Sequence, residues 1–141
     1  MKLDELLEMS QSRLRYSGHT AELGLRIVDC GDNWCELTLA YRPELAISRS
    51  HNLLASGPLI SLIDNASGLS VVVVEGRFRP FATLDLRVDY LRAAPPGKAI
   101  FARATCYRLT RNVAFVSADA HDGDLGDPIA RAQATFFCTG E

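Results

Sequence analysis

Apolar positions change their spacing several times along this chain, and each change marks an element. Leu3, Leu6, Leu7 and Leu14 fall near helical spacing, which predicts a short amphipathic helix over residues 2–15. A polar stretch, Ser17 to Glu22, follows. Leu23–Cys30 and Trp34–Tyr41 read as strands joined by the turn cluster Gly31-Asp32-Asn33. Residues 42–56 show no period and are expected to form a long loop, a kind of segment that often carries function. Gly57-Pro58 opens a predicted helix over 57–74, because proline suits a first helical turn. At 3.6 residues per turn, Leu59, Leu62, Ile63, Ala66, Leu69 and Val73 make one apolar stripe. Ile60, Ser67, Gly68 and Val71 surround Asp64 on a second side. The helix is therefore apolar around most of its circumference and expected to be buried. Val71–Val74 is poor helix material, so either context carries it or the helix ends early.

Four strand-like segments follow: Phe81–Arg92, Ala99–Leu109, Asn112–His121 and Ile129–Cys138. Thr83–Leu91, TLDLRVDYL, alternates cleanly. The connections are short and turn-rich, which favours antiparallel neighbours. By period two, Ala102 and Ala104, then Ala114, Ala118 and Ala120, then Ala130, Ala132 and Ala134 each share one face. A face of alanines lets a helix come close. The expected fold class is α+β: an antiparallel sheet of five or six strands wrapped around a central helix.

A length of 141 residues suits one domain, 1–141, with residues 1–22 as an N-terminal helix and lead-in. The net charge of −2 gives no footprint for nucleic acid. Cys30, Cys35, Cys106 and Cys138 form no CxxC pair and no zinc spacing, so no metal is expected. They lie in apolar segments and are expected to be buried free thiols in a reducing compartment. His51 and His121 read as surface or loop histidines. The N-terminus is acidic and lacks an apolar signal region. The longest apolar run looks too short to cross a bilayer. A cytoplasmic location without membrane contact is the expectation.

Asp64 is the residue that asks for chemistry, since a carboxylate on a largely apolar helix must be solvated, paired or used. By pattern alone it is as well read as a structural or solvent-facing carboxylate. Gly57 by pattern is a turn glycine, and Thr83 a good strand residue. Arg77, Arg79, Arg108 and Arg111 read singly as solvated charges near element ends, although arginine also suits phosphates.

From about Leu23 to Phe137 the order of elements resembles the hotdog fold, and within it the acyl-CoA thioesterases related to the phenylacetate-degradation thioesterase. The helix of that family opens with His-Gly-Gly, and an Asp follows seven residues after the second Gly. Gly57 and Asp64 keep that spacing. The family's next strand reads like TVDLRVDYLRPA, and residues 83–94 here read TLDLRVDYLRAA. Two departures stand out: Ala55 occupies the family's His position, and Arg49 the slot of its Asn, with Asn52 displaced nearby.

The resemblance implies hydrolysis of acyl-CoA to free acid and coenzyme A, with coenzyme A entering only as part of the substrate and no other cofactor. It implies that Asp64 activates water or attacks, that the Gly57 N–H polarises the thioester carbonyl, and that Thr83 orients the water. Asn52, Ser56 and Ser67 are the candidate substrate-binding residues. It also implies a homodimer or homotetramer, with Asp64 of one chain facing Gly57 of another. The altered His motif keeps a second reading open, a hotdog protein that binds acyl-CoA without hydrolysing it. A dehydratase would need a helix His that this chain lacks, and a purely structural module would have a closed cleft.

Overall fold

The computed structural model describes residues 2–16 and 18–140. Its elements run α1 (Leu3–Tyr16), α2 (Gly18–Leu23), β1 (Arg26–Cys30), β2 (Trp34–Leu39), β3 (Ala46–Ser48), β4 (His51–Leu54) and α3 (Ser56–Glu75). β5 (Phe81–Tyr90), β6 (Ile100–Leu109), β7 (Val113–His121) and β8 (Ala130–Cys138) complete the chain. Six strands form one antiparallel sheet in the order β1-β2-β6-β7-β8-β5. The long helix α3 lies against its inner face, chiefly on β6, β2 and β7.

The alanine faces explain that packing. Ala102, Ala120 and Ala130 stand opposite one another across three strands, and Ala104, Ala118 and Ala132 form a second such row. All are buried. Small side chains let α3 approach, and Leu59, Leu62, Ile63 and Ala66 fill the remaining space. Cys106 and Cys138 share this face as buried free thiols, and burial pushes both thiols up from their usual range.

Several sequence expectations are corrected. The strand expected from Leu23 begins at Arg26, because the polar stretch before it winds into α2. The expected 42–56 loop contains a small hairpin, β3 with β4, after a single 3-10 turn at Pro43–Leu45. Its strands are too short and too exposed to show a period. The valine run stays helical, because burial of Val71, Val72 and Val73 against the sheet outweighs β-branched propensity. Gly76 ends the helix at φ 69°, donating its N–H to Val72 O at 2.9 Å, a stop that suits glycine. At 20 residues α3 has the length and apolarity of a bilayer span, contrary to expectation, but it is a core helix clasped by the sheet.

Cys30 and Cys35 are not free thiols. They stand opposite each other in the β1–β2 hairpin with Cα atoms 4.1 Å apart and are joined by a disulfide. Spacing alone could not reveal this, because the tight Gly31–Asn33 turn is what makes them cross-strand neighbours. His121 is likewise no surface residue. It is buried on the sheet face turned away from α3, stacked on Phe101 and bonded through Nε2 to Glu36 at 3.0 Å.

At the β7–β8 turn, Arg92 binds Asp122 at 2.6 Å, with Asp127 and Lys98 nearby. The hydrogen bond from Arg92 holds the Asp122 carboxyl below its ordinary value of 3.8. A lowered folded-state pKa stabilises the fold above the unfolded value, and that contribution disappears as pH falls through the folded value. Asp122→Asn should therefore lower Tm by a few degrees at neutral pH. The gap to wild type should close as pH falls below the ordinary carboxylate range, as followed by thermal melts across an acid series.

Candidate functional site

The Asp64 carboxylate projects from the middle of α3 and is half-buried. Thr83 on β5 donates its hydroxyl proton to Asp64 Oδ1 at 2.8 Å. Strict alternation would put Thr83 on the sheet face opposite Leu86 and Val88. A β-bulge between Thr83 and Asp85 prevents this: Thr83 pairs with Phe136, Asp85 with Thr135, and Leu84 is the extra residue. Leu84 is thrown outward, 60% exposed, while Phe81 and Thr83 turn toward the helix. The alternation expected for this strand is thus broken at the position that carries the contact, and bulges commonly re-aim side chains in this way.

Asp64 and Thr83 open onto a cavity of about 390 Å³. Asn65, Gly68, Leu69 and Val72 continue its wall along α3, and Phe78, Phe81 and Phe136 close its other side. Ser10, Arg13, Leu14 and Thr20 cover it from the N-terminal segment. Gly68 is needed for space, because an added Cβ would lie 2.9 Å from the Phe81 ring. Gly68→Val should push that ring into the cavity and weaken binding of bulky apolar ligands by about tenfold or more. Binding titrations with ligands of graded size would show the loss growing with size.

The other candidates fall elsewhere. Gly57 is the second residue of α3 and exposed; Ala55 precedes the helix without a side-chain capping bond. The first-turn N–H groups are therefore left for solvent or a ligand. Ser56 lines a second hollow of about 450 Å³, together with Leu59, Tyr90 and Ala94. Asn52 sits exposed on β4 and lines neither space. Ser67 is fully buried and does not line the cavity, and among the described residues its hydroxyl has no hydrogen-bond partner. At about 100° per residue, positions 65, 68, 69 and 72 turn toward the cavity while position 67 turns away. Of the arginines, Arg79 is tied to Glu75 at 2.9 Å and donates to the carbonyls of Cys138, Thr139 and Gly140, and Arg77 also faces Glu75.

Sequence reasoning missed Arg13 and the three phenylalanines. They come from the N-terminal helix, the segment after α3, and two strands, and no local pattern joins them. Chemically, the site offers a carboxylate with one oxygen pinned by a hydroxyl, at the mouth of an apolar space. Such a carboxylate can take a proton from water or attack an electrophilic carbon.

The sequence profile of the thioesterase superfamily matches residues 52–129, which hold α3, β5, Asp64 and Thr83. A Pseudomonas aeruginosa protein of known structure is 34% identical, covers 94% of this chain and 98% of its own, and superposes with a TM-score of 0.84. A mutant of the phenylacetic acid degradation protein PaaI from Thermus thermophilus is 24% identical over 83% of this chain and 95% of its own, with a TM-score of 0.71. A Haemophilus influenzae thioesterase shares the fold at 18% identity, covering 99% of this chain and 92% of its own, with a TM-score of 0.80. Among curated proteins, none matches this sequence.

Proposed function

The chain belongs to the thioesterase superfamily, and from that premise we propose that it hydrolyses acyl-CoA thioesters at a site shared by two copies. The observation that supports this best is the Asp64–Thr83 pair at the mouth of an apolar-walled cavity. Thr83 gives its proton to Asp64, so its lone pairs are left to accept a hydrogen bond from water. Asp64 takes the other water proton as the oxygen adds to the thioester carbon. The tetrahedral oxyanion then collapses, the C–S bond breaks, and the thiolate leaves with the proton from Asp64. Direct attack by Asp64, followed by hydrolysis of the resulting anhydride, uses the same groups.

Helix geometry supports the second copy. Gly57 and Asp64 are seven residues apart, or about 10 Å along the axis and on nearly the same side. One carbonyl cannot lie within reach of both. Two antiparallel α3 helices related by a two-fold axis would bring the Gly57 N–H of one chain to the Asp64 of the other, where one donor is worth about 3 kcal/mol to an oxyanion. The pairing edge is available: β5 is a ten-residue edge strand with Leu84 and Tyr90 more than half exposed.

Thiol release from a panel of short, medium, long and aromatic acyl-CoAs tests the proposal, and absence of turnover by the folded dimer on every ester would overturn it. Thr83→Val keeps shape and removes the hydroxyl. It should lower kcat roughly tenfold to a hundredfold with KM little changed. Ala55 in place of the family's His motivates the second reading, in which the same cavity binds acyl-CoA and does not turn it over. Tight ester binding with no thiol release would establish that reading.

A further inference from the structure

We infer that the cavity takes an acyl group whose far end carries a carboxylate, received by Arg13; this rests on the thioesterase reading of the same cavity. Asp64 and Thr83 mark the reacting end. From Asp64 to Val72 the helix rises about 12 Å along the cavity wall, the reach of an acyl chain of medium length. Beyond Val72 stands Phe78, and the Arg13 guanidinium lies over its ring, 3.9 Å from the centroid. Arg13 is solvent-exposed, so its charge stands at the rim of the far end, while the walls between, Leu69, Phe81 and Phe136, are apolar.

Arg77, Arg79, Arg87, Arg92, Arg103 and Arg131 each hold a carboxylate. Of the arginines outside that set, Arg13 is the one that lines this cavity. Among the described residues no carboxylate lies within ion-pair distance of Arg13. Its helix offers no sufficient reason for its place: Arg15 shares the last turn of α1, where a cation favours the helix dipole, yet does not line the cavity. Stacking on Phe78 uses the face of the guanidinium and leaves its N–H edge, which matches the two oxygens of a carboxylate. A methyl-ended chain would bring hydrocarbon against that edge and gain nothing from it.

The test compares esters of equal length with and without a terminal carboxylate: adipoyl-CoA against hexanoyl-CoA, suberoyl-CoA against octanoyl-CoA, and sebacoyl-CoA against decanoyl-CoA. Wild type should favour the carboxylated ester of at least one pair by about tenfold or more in kcat/KM. Arg13→Gln should abolish that preference, bringing the ratio of the two kcat/KM values in each pair to about one. Arg13→Glu should reverse it. Equal rates on all pairs, or an Arg13→Gln variant that retains the preference, would overturn the inference. Calorimetric titration with free suberate and octanoate reads the same preference without turnover. A protein that binds suberate through Arg13 but cleaves no ester keeps this inference and loses the thioesterase reading. One that cleaves plain esters and ignores the terminal carboxylate does the reverse.

Discussion

Asp64→Asn is expected to lower kcat for acyl-CoA hydrolysis by about a thousandfold, within the range for loss of a positioned base, while Tm stays near wild type. The amide is close to the carboxylate in shape, and its oxygen can still accept the Thr83 hydroxyl, which now lies 2.8 Å from Asp64 Oδ1. Folding and the cavity wall should survive; only the ability to take a proton or attack carbon is lost. The effect should fall on kcat rather than KM, since Asp64 acts at the reacting end and the cavity walls provide most of the binding surface. Initial rates of thiol release, with active-site occupancy checked by ester binding, measure it. Turnover within tenfold of wild type would remove Asp64 from the chemistry.

The second large effect concerns stability. Glu36 is buried on the sheet face opposite α3 and accepts from Arg103 Nε and His121 Nε2, each at 3.0 Å. The Gly123 N–H donates to His121 Nδ1 at 3.1 Å, so the ring proton sits on Nε2, facing Glu36. Arg103 in turn stacks on Trp34. Glu36→Ala leaves a buried N–H and a guanidinium without their acceptor and should cost about 3 kcal/mol, at the low end for a broken buried pair because Arg103 is partly solvated. Glu36→Gln keeps an acceptor and should cost clearly less. Urea unfolding of the two variants gives both numbers. Activity per folded molecule should be unchanged in each, because the cluster and Asp64 lie on opposite sides of the sheet.

The inner face was readable because it repeats. Alanines at period two on three successive strands announce a helix-bearing sheet, and the structure aligns them into rows. Asp64 stood out for the opposite reason, as a charge that broke an apolar helix. What could not be read depends on contacts distant in sequence. Glu36 and His121 are 85 residues apart and meet only through sheet order. Cys30 and Cys35 become partners only when the hairpin sets their register. The bulge at Leu84 is invisible in a strand that alternates well, yet it is what turns Thr83 to Asp64. Ser67 lies off the cavity because of helix angle: one residue earlier than Gly68, it turns away from that space.

The central claim is that Asp64 of one chain and the Gly57 N–H of another serve the same thioester. Gly57→Pro removes that hydrogen within the first turn of α3, where proline is tolerated. Asp64→Asn and Gly57→Pro chains, each inactive as homodimers, should be coexpressed with different tags and the mixed dimers purified. Each mixed dimer would hold one site with both groups intact and one with neither. Thiol release by the mixed dimer at about half the wild-type rate per dimer is the expected result. A mixed dimer as inactive as its parents would contradict the shared site.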